Sequence, residues 1–245
     1  MTAKNIVSDR KRSRPVTKRK KTDFFKKNKI ASMLIILIIL MSAVAGIYVV
    51  TSGNNEKEDV TDEGNPIAVI DTSMGIIKVE LYKDKVPNTC ENFINLIEDE
   101  FFDGLVFHRV ANIIPTPDTH VIQGGGFYPD GTFKESPFGS IDLEINDEVS
   151  HVDGAIAMAR GNDPDSASSQ FYICDGEHHE LDDSSVQAQT GNRGYAVFGK
   201  VIEGMDVVRE IGQVETGTKT IPAGQTMENW PVDDVIINSI RIENS

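Results

Sequence analysis

The sequence predicts a mainly β domain, a closed antiparallel barrel or a sandwich, carried behind one membrane-spanning helix. Three observations lead there. From residue 67 onward, short apolar runs alternate with turn residues. Only two helical stretches interrupt those runs, and they do so without a βαβ rhythm. Ahead of them, residues 30–50 hold no charged side chain.

The elements follow in order. Residues 1–29 carry 12 Lys/Arg against Asp9 and Asp23, and read as a basic cytoplasmic tail. Residues 30–50, IASMLIILIILMSAVAGIYVV, are 21 uncharged residues; a hydrocarbon core of about 30 Å needs ~20 as a helix. Ala43-Val44-Ala45 leaves open a signal peptide cut after Ala45. The long basic region and the apolar run continuing to Val50 favour an uncleaved signal anchor, in contact with membrane lipid. The basic flank stays in the cytoplasm, so the rest faces outward from a single-pass cell-membrane protein. Residues 51–66 are polar and acidic, a flexible linker to a domain over 67–245.

In that domain, Ile67–Asp71 and Ile76–Tyr82 flank Ser73-Met74-Gly75 as a hairpin. Pro87 opens a helix with Cys90, Phe93, Ile94 and Ile97 on one face. Further strands are predicted over Leu105–Val110, Val121–Gln123, Ala155–Ala159, Gln170–Cys174, Ala196–Val201 and Asp234–Ile242, with a second helix over Met205–Ile211.

Charge narrows the function. Residues 51–245 hold 12 Lys/Arg and 36 Asp/Glu, a net charge of −24 that repels phosphate and argues against a nucleic-acid partner. Two cysteines build neither a disulfide scaffold nor a four-Cys zinc site, and Cys90 and Cys174 read as buried thiols, with a disulfide between them left open by export. His178-His179 lies among carboxylates but reads as solvated surface rather than a metal site. Asp163-Pro164-Asp165-Ser166 reads as a turn, and Gly124–Gly126 lacks the Lys-Ser/Thr of a phosphate loop.

Five blocks then carry a resemblance. Phe107-His108-Arg109-Val110, Gln123-Gly124-Gly125-Gly126-Phe127, Ala157-Met158-Ala159-Arg160, Ser166-Ala167-Ser168-Ser169-Gln170-Phe171 and Gly194-Tyr195-Ala196-Val197-Phe198-Gly199-Lys200-Val201 run in one order. Together they resemble the cyclophilin-type peptidyl-prolyl isomerases, nearest to the prokaryotic branch. The resemblance implies an eight-stranded barrel capped by two helices, rotamase activity on X–Pro segments of flexible chains, no cofactor and no metal, and a monomer. It implies that Arg109 is the catalytic cation, held by Gln123. It also implies that Val121, Tyr172 and Leu181 line the proline pocket, that Ala159, Arg160 and Gln170 lie along the peptide groove, and that Phe107, His120 and Tyr195 join them in binding substrate. With the outward-facing topology, it implies help in folding exported or membrane proteins. The alternative is a catalytically weak proline-peptide binding module or chaperone on the same barrel.

Four departures bear on that choice. His120 stands where the family usually has phenylalanine, and Glu180 where an aromatic is usual before Leu181. Tyr195 replaces a histidine common in eukaryotic members. The segment between Arg109 and Gln123 is longer than usual, and its Ile113 and Ile114 suggest either a loop folded over the groove or a solvated excursion whose isoleucines pack on the barrel exterior.

Overall fold

The computed structural model describes residues 64–113 and 119–243. The basic tail, the uncharged span and the linker as far as residue 63 lie outside the described residues, as does 114–118.

Each predicted apolar run is a strand: β1 (Ile67–Thr72), β2 (Gly75–Leu81), β3 (Val106–Ala111), β4 (His120–Gly124), β5 (Ala155–Met158), β6 (Phe171–Asp175) and β7 (Val197–Glu203). A polar ribbon follows, β8 (Thr216–Thr220) with β9 (Thr226–Pro231), before β10 (Val235–Ile242). Eight strands close an antiparallel barrel in the order β1-β10-β3-β4-β6-β5-β7-β2. Closure leaves no unpaired strand edge, which suits a domain whose strands are only four to eight residues long.

Among the described residues there are three α-helices rather than two: α1 (Pro87–Glu98), α2 (Asp183–Thr190) and α3 (Met205–Gly212). Helix α1 starts on Pro87, whose missing N–H costs nothing in a first turn. Glu144 reaches that end from a loop and accepts from the Thr89 N–H and hydroxyl, both at 2.8 Å. A carboxylate there also meets the positive end of the helix dipole. The helix buries Cys90, Phe93, Leu96 and Ile97, whereas Ile94 is only partly covered. Phe93 meets Phe102, Phe171 and Phe198 at ring distances of 5.1, 5.4 and 5.0 Å, so one helix residue closes that side of the barrel.

Helix α2 and the β8–β9 ribbon escaped the sequence reading for one physical reason. Neither has an apolar face: α2 reads DSSVQAQT and β8 reads TGTKT, with exposed ends on alternate residues. The ribbon is held instead by Trp230 and Ile221, which pack with Val106 and Phe127 outside the barrel.

Strand alternation divides the side chains into two sets. Ile122, Ile156, Met158, Phe171, Ile173 and Phe198 fill the barrel with α1 and α3. Val121, Ala155, Ala157, Tyr172, Cys174 and Val197 form a second buried cluster, with Ala159, Leu181 and Tyr195 packed against it. That second face carries the candidate site.

Candidate active site

Arg109 reaches this face through an irregularity. The β3–β4 register slips between Phe107 and Arg109, so the strict two-residue alternation breaks there. Phe107 therefore points inward, fully buried, with its ring 5.9 Å from Phe171. Arg109 pairs across to Gln123 on β4. Its Nη1 donates to Gln123 Oε1 at 3.3 Å, and Gln123 Nε2 donates onward to Gln170 Oε1 at 3.0 Å. Burial draws the Arg109 pKa down, with Tyr195 acting against the shift; a guanidinium remains a cation regardless. Gln170 is pressed into place by the glycine run. A Cβ on Gly126 would sit 2.8 Å from Gln170 Cδ, and one on Gly125 (φ +83°) would sit 2.7 Å from the Ser169 carbonyl oxygen.

A cavity of about 250 Å³ opens beside Arg109. Val121, Ala159, Tyr172 and Leu181 supply apolar lining, and Gln123, Arg160 and Tyr195 line it beside them. Ile113, from the long segment after β3, also lines it. Ile114 lies outside the described residues.

Two residues expected to bind substrate, Phe107 and His120, do not line it. Phe107 is core, for the register reason above. His120 is on the inward phase of β4, opposite to Val121 and Gln123, and its Nδ1 faces Asp175 Oδ2 at 3.6 Å beneath Gly212 of α3. Gln170 supports Gln123 without lining the cavity. Glu180 turns away to His178, whose Nδ1 lies 2.8 Å from Glu180 Oε1. His178 itself is fully buried, with Nε2 3.1 Å from the His120 carbonyl oxygen, so it is a structural residue and not solvated surface. Its neighbour His179 is exposed. Among the described residues no three His, Cys, Asp or Glu side chains gather as a metal site.

One part of the site gave no signal in the sequence. Behind the wall, Tyr172 Oη lies 2.8 Å from Nε2 of the fully buried His151, and His151 Nδ1 lies 2.7 Å from Asp182 Oδ1. Burial works against ionisation of Asp182, but hydrogen bonds from Ser150 and His151 outweigh it and hold the carboxyl below its ordinary range. An ionised Asp182 only accepts, so His151 carries its proton on Nδ1 and accepts the Tyr172 hydroxyl proton on Nε2. Burial lowers the His151 pKa against the pull of Asp182, which keeps the ring neutral. The Tyr172 hydroxyl is thereby turned away from the cavity, which meets only the hydrocarbon ring.

Comparisons with known proteins give the family of the barrel. Residues 67–242 match the family model described as cyclophilin type peptidyl-prolyl cis-trans isomerase. The chain belongs to that family. A peptidyl-prolyl cis-trans isomerase of Acinetobacter baylyi is 38% identical over 181 residues, 74% of this chain and 87% of the relative. One from Streptomyces antibioticus is 38% identical over 174 residues, 71% of this chain and 96% of the relative. The solved structure of a Cryptosporidium parvum cyclophilin, crystallised in the presence of the dipeptide Ala-Pro, superposes with a TM-score of 0.57 at 26% identity, covering 73% of this chain and 99% of that one. In this cyclophilin, then, the family barrel is complete within the described residues and is preceded by a sequence of different composition.

Proposed function

We propose that this cyclophilin rotates X–Pro bonds in flexible segments of exported or membrane proteins, outside the cytoplasm. The observation that carries the reading is Arg109, tethered by Gln123 at the edge of a cavity walled by Val121, Tyr172 and Leu181.

The chemistry fits that set. Turning a prolyl peptide bond breaks amide resonance, a barrier of ~20 kcal/mol, yet forms no bond and moves no proton. A nucleophile or acid–base pair is not required. The apolar cavity takes the pyrrolidine ring. In the twisted state the prolyl nitrogen regains its lone pair and accepts a hydrogen bond that it cannot accept when planar. Arg109, fixed before the substrate arrives, supplies that donor, so it favours the twisted state over either planar isomer. Gln123 restricts Arg109, and Gln170 restricts Gln123. The location follows from the 21 uncharged residues after a basic tail, which read as an anchor with the domain outward.

The binding-only alternative drew on His120 and Glu180. Neither side chain lines the cavity, since His120 faces Asp175 and Glu180 is hydrogen-bonded with His178, and Ile113 adds apolar surface to it. The test is exchange between cis and trans Ala–Pro in a tetrapeptide, followed by NMR with the intact chain in detergent. Line broadening that saturates with peptide supports the enzyme; peptide binding without accelerated exchange supports the binding module.

A further inference from the structure

The charges around the cavity oppose the charge of the domain that holds it. Five arginines lie among the described residues. Arg193, Arg209 and Arg241, all outside the cavity, each meet a carboxylate at 2.8, 2.8 and 2.6 Å. Arg109 and Arg160, the two that line it, form no ion pair among the described residues, although 36 carboxylates are present from residue 51 onward. Arg160 is nevertheless fixed. Its Nε donates to the Gly194 carbonyl at 3.1 Å and Nη1 to the Gly161 carbonyl at 2.9 Å, while Nη2 donates to the Arg193 carbonyl. Its guanidinium lies 4.7 Å above the Tyr195 ring. Carbonyls and a ring face set its orientation but leave a full positive charge. The carboxylate that feels Arg160, Asp183, is already held by Arg193 at 2.8 Å and by the Gly194 N–H at 2.7 Å. Glu180 is turned to His178.

A fixed cation that pairs with no carboxylate among the described residues, lining a cavity, is complementary to an anion on the ligand. We propose that the groove selects Xaa–Pro segments with an aspartate or glutamate beside the proline, and that Arg160 is the residue that determines this preference. The proposal depends on the isomerase reading of the cavity and adds the class of peptide it takes. It also runs against the field of the whole domain, whose net charge over residues 67–245 of −20 attracts cationic peptides. The two sources of electrostatics therefore predict opposite orders.

The experiment uses the intact chain and two peptide series, Ala-Xaa-Pro-Phe and Ala-Ala-Pro-Xaa, with Xaa as Glu, Ala or Lys. Exchange rates are read by NMR at low and high salt. In at least one series kcat/KM should run Glu above Ala above Lys, with Glu and Lys about tenfold apart at low salt and closer at high salt. Arg160→Gln should shrink that gap to about twofold or less. Lys equal to or better than Glu in both series overturns the proposal, and needs no variant to be folded. An acid preference that survives in Arg160→Gln overturns the assignment to Arg160. Failure to accelerate any peptide removes the isomerase reading itself, and the proposal with it.

Discussion

Tyr172 brings a hydroxyl to the apolar side of the cavity, and His151 with Asp182 keeps that hydroxyl out of it. The chain of contacts makes a specific prediction. His151→Leu leaves the Tyr172 hydroxyl buried without an acceptor, at a cost of about 1–3 kcal/mol. The ring then turns to bring its oxygen to water in the cavity, and KM for X–Pro peptides should rise on the order of tenfold. Adding Tyr172→Phe removes the hydroxyl, so the double variant should recover most of both KM and melting temperature. A double variant no better than His151→Leu would mean that His151 is mere packing. Tyr172 was legible as a pocket residue, but its link to His151 and Asp182 was not: the three are far apart along the chain, and nothing in a strand pattern joins them. Arg109 and Gln123 were legible because their motif blocks occur in the family's order. Phe107 and His120 were misplaced, since a motif names residues without stating which face of a strand they take. A single register slip in β3 decides that for Phe107.

At the scale of elements, the segment after β3 and the ribbon β8–β9 each bear a prediction. Ile113 lines the cavity from a loop, where an apolar residue otherwise gains little. Ile113→Ser should lower kcat/KM several-fold at unchanged thermal stability, because the side chain is 37% exposed and supports no core. Loss of stability without loss of activity would place Ile113 in packing alone. Under the ribbon, His108 is 1% exposed, its ring 4.8 Å from Phe127 and 5.9 Å from Trp230. Burial lowers its pKa to about 4. The unfolded chain therefore binds a proton that the folded chain does not, and stability falls as pH drops from about 6.5 towards 4, by ~3 kcal/mol for this residue alone. His151, also lowered by burial, acts in the same direction from the same starting pH. Denaturant unfolding at pH 7 and pH 4.5 should show the loss, and His108→Phe should reduce it. Equal stability at the two values would contradict a neutral, buried His108. The barrel strands were readable because each buries one or both faces and so appears as an apolar run. The ribbon and α2 were not, because their residues are polar and a few contacts from elsewhere hold them.

For the whole molecule, charge is the organising quantity. A tail of net +10, an uncharged stretch and a body of −24 follow one another in the sequence. That order predicts that protease added to sealed right-side-out vesicles removes residues 51–245 and spares the tail; a protected body would reverse the topology. Arg109 and Arg160 then line a cavity in a strongly acidic domain. Its central property is that Arg109 acts on the twisted amide and does not merely line the cavity. The most direct measurement is the NMR exchange rate of an Ala–Pro tetrapeptide with the parent chain and with Arg109→Ala, each shown to be folded by its amide spectrum. The account predicts a loss of about 10²–10³ in kcat/KM with peptide binding weakened far less, the magnitude typical of losing one preorganised donor. Exchange as fast in Arg109→Ala as in the parent would contradict it.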